Sequence, residues 1–208
     1  MEDAKGKHFC GGALISGKKI ATAKHCFKEA IEHNRTRPFT AVFFKDKKSG
    51  KEEKKERIKI DLYIYPINSD DHAFVLLEHA APSTPIDVCK GELRNGTKAF
   101  LLRWRFVDYN KDAKYLNKVD LEISHYEGFK LFTELPTSSG QIVDACPGDS
   151  GGPLVAGSGS GQCLAATVDG GGYGCKEPYP ASSMYGRWNS MNILQETDPK
   201  NYVVVHLM

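Results

Sequence analysis

Ile58-Lys59-Ile60-Asp61-Leu62-Tyr63-Ile64 decides the fold class. Ile58, Ile60, Leu62 and Ile64 alternate with Lys59, Asp61 and Tyr63. A period of two over seven residues belongs to a strand with one buried face, not to a helix. The pattern recurs outward from this point. Upstream, 39–44 is rich in aromatic and branched residues; downstream, Ala73-Phe74-Val75-Leu76-Leu77 is a short apolar run that suits a strand buried on both faces. Further strands are predicted at 99–106, 119–124, 154–156 and 164–168. Turn-forming clusters separate them: Lys48-Ser49-Gly50, Asn95-Gly96 and Ser138-Ser139-Gly140. Many short strands predict an all-β sandwich or barrel. One helix is predicted near the end, at 189–197, where Asn189 or Ser190 can cap and Met191, Leu194 and Gln195 share a face. Ala81-Pro82-Ser83-Thr84-Pro85 reads as a linker, because its two prolines stop strand pairing.

Composition narrows the class further. The chain has 208 residues, 40% hydrophobic and 26% charged, which is ordinary for a globular domain. With 28 Lys and Arg against 26 Asp and Glu, the formal net charge is +2. This balance points to neither nucleic acid nor a membrane surface as a partner. Mean hydropathy is −0.42 and the apolar runs are short, well below the roughly 20 residues of a spanning helix. The mixed-charge run 45–59 reads as a solvated loop and strand edge; its glutamates are outnumbered by lysines, so it offers no calcium site. None of the six cysteines forms a Cys-x-x-Cys pair, so disulfides in an oxidising compartment are expected rather than zinc. The sequons Asn34-Arg35-Thr36 and Asn95-Gly96-Thr97 agree with export. The first five residues are polar and carry no leader-like apolar core, so a truncated start is expected.

Chemistry concentrates in Cys146-Pro147-Gly148-Asp149-Ser150-Gly151-Gly152-Pro153. Glycine and proline make the backbone turn tightly, and a serine among glycines presents its hydroxyl uncrowded. The N–H groups of Gly148 and Ser150 can converge on an oxyanion. A serine hydroxyl also needs a neighbouring base to act as nucleophile. This string is similar to the nucleophile motif of trypsin-like serine proteases of the chymotrypsin fold. Ala21-Thr22-Ala23-Lys24-His25-Cys26 resembles the family's histidine motif, with Lys24 where a small residue is usual. His8-Phe9-Cys10-Gly11-Gly12-Ala13-Leu14-Ile15 resembles the strand that leads to it. Asp71-His72-Ala73-Phe74-Val75-Leu76-Leu77 resembles the triad aspartate and its apolar strand. Asp70 competes with Asp71 on composition alone. Asp71 fits the resemblance, because Ala73 and Val75 then fall where the family's strand residues fall.

The resemblance spans nearly the whole chain. It implies two six-stranded antiparallel β-barrels packed together, the first over about 1–85 and the second over about 90–185, followed by the short C-terminal helix. It implies a secreted serine endopeptidase with the triad His25, Asp71 and Ser150 and an oxyanion hole from Gly148 and Ser150. Protein or peptide substrates and protein inhibitors are the expected partners; no cofactor or metal is expected, and the chain is expected to be monomeric. Asp144, six residues before Ser150, aligns with the pocket-floor acid that selects Lys or Arg; Gly171 and Ser183 align with pocket-wall positions. Disulfides Cys10–Cys26 and Cys146–Cys175 are implied, and Cys89–Cys163 is then the remaining pair.

Family enzymes are activated by cleavage that frees an apolar terminus. Its ammonium pairs with the acid before the nucleophile, here Asp149. No such motif precedes Cys10, so the activation segment is expected to lie outside this sequence. Asp149 is then expected to pair with His8 or to stay unpaired, and the chain as written to be weakly active. Val168-Asp169-Gly170-Gly171 departs from the family's Val-Ser-Trp-Gly, so Asp169 is expected close to Asp71. The competing reading is a weak or inactive homologue that binds proteins through the same fold.

Overall fold

A computed structural model describes residues 1–44, 55–67, 71–91, 93–103, 116–127, 130–134, 148–170, 184–187 and 202–207. Its strands run β1 (Ala13–Leu14), β2 (Lys19–Ala23), β3 (Thr40–Phe44), β4 (Lys55–Pro66), β5 (His72–Leu77) and β6 (Lys98–Arg103). They continue with β7 (Asn117–Glu127), β8 (Lys130–Glu134), β9 (Pro153–Ala156), β10 (Cys163–Gly170), β11 (Met184–Arg187) and β12 (Tyr202–His206). A helix, α1 (Lys24–Glu32), follows β2. The first sheet has six strands in the order β1-β2-β5-β4-β12, with β3 also paired to β4; the second closes into a barrel, β10-β11-β8-β7-β6-β9. All pairings between these strands are antiparallel. The architecture is therefore all-β, as two six-stranded antiparallel sheets.

Three features differ from the reading of the sequence. The alternation in β4 slips: Ile58 and Ile60 are buried, but the next buried side chain is Tyr63. Pairing with β5 shifts register between Ile60 and Leu62, so Asp61 is an inserted bulge residue. An extra residue turns the following side chains to the opposite face. Tyr63 thus enters the core and donates its hydroxyl hydrogen to the Lys24 carbonyl at 2.6 Å. Ile64 turns to a second apolar cluster with Ala13, Ala21, Phe74 and Leu164, which joins the two sheets. The carbonyl of Asp61 accepts from Leu207 N, so the bulge stays satisfied.

The second difference is α1. Phe27, Ala30 and Ile31 fall at helical spacing, and Cys26, Phe27 and Ala30 are buried. The third is β12, which pairs along Leu62–Pro66 of β4, so the first sheet takes a strand from the far end of the chain. The helix expected at 189–197 lies outside the described residues, as does the stretch 45–54 of the charged run. The linker 81–85 carries no strand, and beyond it Val88 bridges to Leu164 of the second barrel.

Disulfides Cys10–Cys26 and Cys89–Cys163 form, with Cα atoms 6.1 and 4.9 Å apart. Cys146 and Cys175 lie outside the described residues. Beneath α1, the rings of Phe9, Phe39 and Tyr63 surround Phe27 with centroids 5.0–5.6 Å away. Phe27 is fully buried. Phe27→Ala should therefore destabilise the fold by about 3–5 kcal/mol, read as a lower denaturant midpoint at unchanged slope.

Candidate active site

Local pairing places the first two residues. β2 lies antiparallel to β5 with Ala23 opposite His72, so the residue after β2 meets the residue before β5. Those residues are Lys24 and Asp71, and Lys24 N donates to the Asp71 carbonyl at 2.7 Å. His25 follows in the first turn of α1. Its backbone N–H donates to Asp71 Oδ1 at 2.8 Å, and Nδ1 lies 2.5 Å from Oδ2. One carboxylate thus holds both the backbone and the ring of His25. With the proton on Nδ1, the lone pair of Nε2 is left to act as a base. Side-chain exposure is 26% for His25 and 14% for Asp71, so the pair is reachable yet partly desolvated. Burial alone would lower the His25 pKa, but the hydrogen bond and charge of Asp71, with Glu29 and Asp169 behind them, raise it overall. Lys24 projects away, its ammonium 5.6 Å from the centre of the Tyr65 ring.

Ser150 arrives from the other barrel. Its loop runs into β9, and Gly148 and Gly151 take φ of 93° and 72°, which only glycine adopts without strain. Gly151 N donates to Val168 O of β10 at 2.8 Å. On the opposite side, the Ser150 carbonyl accepts from Gly11 N at 2.8 Å. Gly11 follows Cys10, whose disulfide partner Cys26 follows His25. A short path of one hydrogen bond and one disulfide therefore ties the serine to the histidine across the two sheets. Gly148 is held as well, since His8 Nε2 lies 2.9 Å from its carbonyl oxygen.

A third carboxylate joins this site. Asp169 lies near the end of β10 with its side chain 15% exposed, and Lys130 Nζ of β8 is 3.8 Å from its Oδ2. Burial, then the charge and hydrogen bond of Asp71, push the Asp169 pKa up to about 6. A hydrogen bond between two carboxyl groups needs a proton on one of them. His25, Asp71 and Asp169 place possible ligand atoms within 4.8 Å of one another. His25 Nδ1 already engages Asp71, so a cation there would have to break that bond, and we assign none. Cys10, His25 and Cys26 also cluster, but their sulfurs are joined in a disulfide.

Asp149 has a buried cationic neighbour from β6. The sequence reading paired it with His8 or left it alone. In the structure Arg103 Nη1 lies 3.5 Å from Asp149 Oδ2, with side-chain exposures of 4% and 0%. The sequence reading missed Arg103, although a signal was present. Ala99, Leu101 and Arg103 form the buried face of β6 at period two, and a charge on a core face needs a counter-charge. Asp144, Gly171 and Ser183, aligned with the specificity pocket, lie outside the described residues. So does Asp70.

The model of the trypsin family, described as "Trypsin", matches residues 1–190. Among curated relatives, Transmembrane protease serine 9 of Rattus norvegicus is 26% identical over 83% of this chain and 18% of its own length. Limulus clotting factor C of Carcinoscorpius rotundicauda is 27% identical over 70% of this chain and 18% of its own length. The chain thus spans under a fifth of those two relatives. Venom peptide isomerase heavy chain of Agelenopsis aperta is 24% identical over 90% of this chain and 88% of its own length. With the double-sheet fold and a family match over most of its length, this chain belongs to the trypsin family of serine proteases.

Proposed function

We propose that this chain is a secreted serine endopeptidase that cleaves after Lys or Arg with the triad Ser150, His25 and Asp71. The observation that carries this reading is the His25–Asp71 pair, two hydrogen bonds accepted by one carboxylate, joined to the Ser150 loop through Gly11. The two disulfides support export to an oxidising compartment. No described helix is long and apolar enough to cross a membrane.

His25 Nε2 takes the Ser150 proton as Oγ attacks the substrate carbonyl. Asp71 stabilises the imidazolium and keeps its remaining Nδ1 proton aimed. The Gly148 and Ser150 N–H groups receive the oxyanion. Collapse breaks the C–N bond, and His25 hands its proton to the leaving amine. Water then repeats the sequence on the acyl-enzyme, regenerating Ser150. Asp144 at the pocket floor supplies selectivity, because a buried carboxylate left unpaired by a neutral side chain disfavours that substrate.

Asp169 favours a second reading, a weakly active homologue that binds proteins. An ionised Asp169 adds negative charge beside His25 and holds the imidazole protonated to higher pH. The relative named a peptide isomerase supplies a further outcome to look for, a change of peptide without a change of mass. Incubation with a mixed peptide pool, read by liquid chromatography with mass spectrometry so that isomers shift in retention and fragments in mass, separates these. Cleavage after Lys and Arg is expected; intact peptides throughout would refute endopeptidase action. Ser150→Ala should lower kcat/KM by about 10⁶-fold. Asp144→Ser should abolish the basic preference while fluorophosphonate labelling of Ser150 persists; retained preference would remove Asp144 from the pocket.

The pH dependence is set by the groups around the histidine: Asp71, Asp169, Glu29 and, behind Asp169, Lys130. His25 must be neutral to act, and its pKa is raised, so activity climbs on the alkaline side of the ordinary histidine range. Asp169→Asn removes one charge that raises it. The acid limb of kcat/KM should then move to lower pH, and an unmoved limb would show that Asp169 does not sense His25.

A further inference from the structure

Asp149 immediately precedes Ser150, and its carboxylate has no exposed surface. A buried carboxylate without a counter-charge is strongly destabilising and turns outward or takes a proton. Arg103, from a different element, meets it. β6 pairs with β9 with Leu101 opposite Leu154, so continuing that register brings Arg103 level with Gly152, at the exit of the nucleophile loop. The Arg103 side chain is itself buried. The loop's backbone is closed by Gly152 N donating to the Asp149 carbonyl at 2.9 Å, and it touches β10 at Val168 and the first sheet at Gly11. Those backbone bonds shape the turn, whereas the charge pair draws the Asp149 side chain inward.

We infer that Arg103 is an internal counter-cation that positions the nucleophile loop, so that the chain's own guanidinium helps to order residues 148–152. The consequence for turnover rests on the proposed role of Ser150; the consequence for loop order does not. Arg103 touches no reacting atom in this scheme and is a positioning residue. Its charge is the active property, since a neutral side chain of similar length would fill the space without facing Asp149 with a cation.

The test compares the full chain with Arg103→Met, Arg103→Lys and the double variant Arg103→Met/Asp149→Asn, each checked for fold by circular dichroism. Two readouts are taken: amide hydrogen exchange over 148–152, and the rate at which an alkyl fluorophosphonate labels Ser150. Arg103→Met should expose the loop amides and slow labelling by roughly 10²-fold or more, the effect of losing one oxyanion donor. Arg103→Lys should recover most of the protection and labelling, and the double variant should recover protection because no charge is left unpaired. Wild-type protection in Arg103→Met, or equal loss in Arg103→Lys and Arg103→Met, would overturn the inference. Should Arg103→Met fail to fold, recovery of fold and loop protection in the double variant supports the charge role, and failure of both refutes it. A wild-type chain with protected loop amides but an unreactive Ser150 would refute the proposed catalysis alone.

Discussion

Asp71 is one residue with three attachments, and the rest of the site depends on it. Its carbonyl receives Lys24 N, Oδ1 receives His25 N, and Oδ2 meets the imidazole. α1 needs these acceptors, because Ala23 gives no side-chain cap and the first turn holds no acid. The first amides of a helix lack intrahelical partners, and negative charge there is favourable. Asp71 supplies both from the neighbouring strand. The contacts that start the helix therefore also orient the imidazole, and the pairing of β2 with β5 sets the geometry. Below the helix, the packed rings of Phe9, Phe27, Phe39 and Tyr63 resist any tilt that would break this arrangement.

That fastening lies wholly in the first sheet, while the nucleophile belongs to the second. The two halves meet where side chains are smallest. A Cβ on Gly11 would come within 2.7 Å of Gly152 Cα, so the backbones touch directly. This close approach lets Gly11 N reach the Ser150 carbonyl. The apolar seam of Ala13, Ala21, Phe74 and Leu164 lies between the same two sheets. It is apolar packing, which transmits position because interiors are dense and poorly compressible. The bulge at Asp61 contributes here, since it turns Tyr63 toward the aromatic core and Ile64 toward the seam.

Much of this was legible in the residues. Strand periodicity identified an all-β chain, and β5, β9 and β10 lie where short apolar runs placed them. The motifs around His25, Asp71 and Ser150 were visible because their glycines, cysteines and order are unusual. What was hidden follows from physics that local pattern does not carry. A bulge leaves composition unchanged, so the slip after Ile60 could not be read from alternation. β12 draws its stability from β4, over a hundred residues away in the chain, and nothing local marks it. α1 is short and rests on Asp71 and on tertiary packing, whereas its Phe27, Ala30, Ile31 spacing was a faint signal. Arg103 is the instructive case: period two in β6 put a cation on an inward face, and its partner was a residue whose need for a cation was already recognised.

Three partly or fully buried acids serve the site, and each meets the cost of burial differently. Asp71 accepts the His25 backbone N–H on Oδ1 and meets the imidazole through Oδ2. Asp149 faces a guanidinium in a region without exposure. Asp169 has an ammonium 3.8 Å away on one side and the Asp71 carboxylate on the other. The second arrangement holds across neutral pH, because an arginine does not deprotonate there. The third does not, because burial and repulsion place its ionisation near pH 6. Below that pH Asp169 carries a proton and can donate it to Asp71, sharing the load on the carboxylate that His25 needs. Above it, Lys130 becomes the main compensation, and the imidazole feels two negative neighbours instead of one. The same site therefore holds a charge pair beneath the nucleophile and a titrating carboxylate beside the base, and the latter adds its own proton dependence to that of His25.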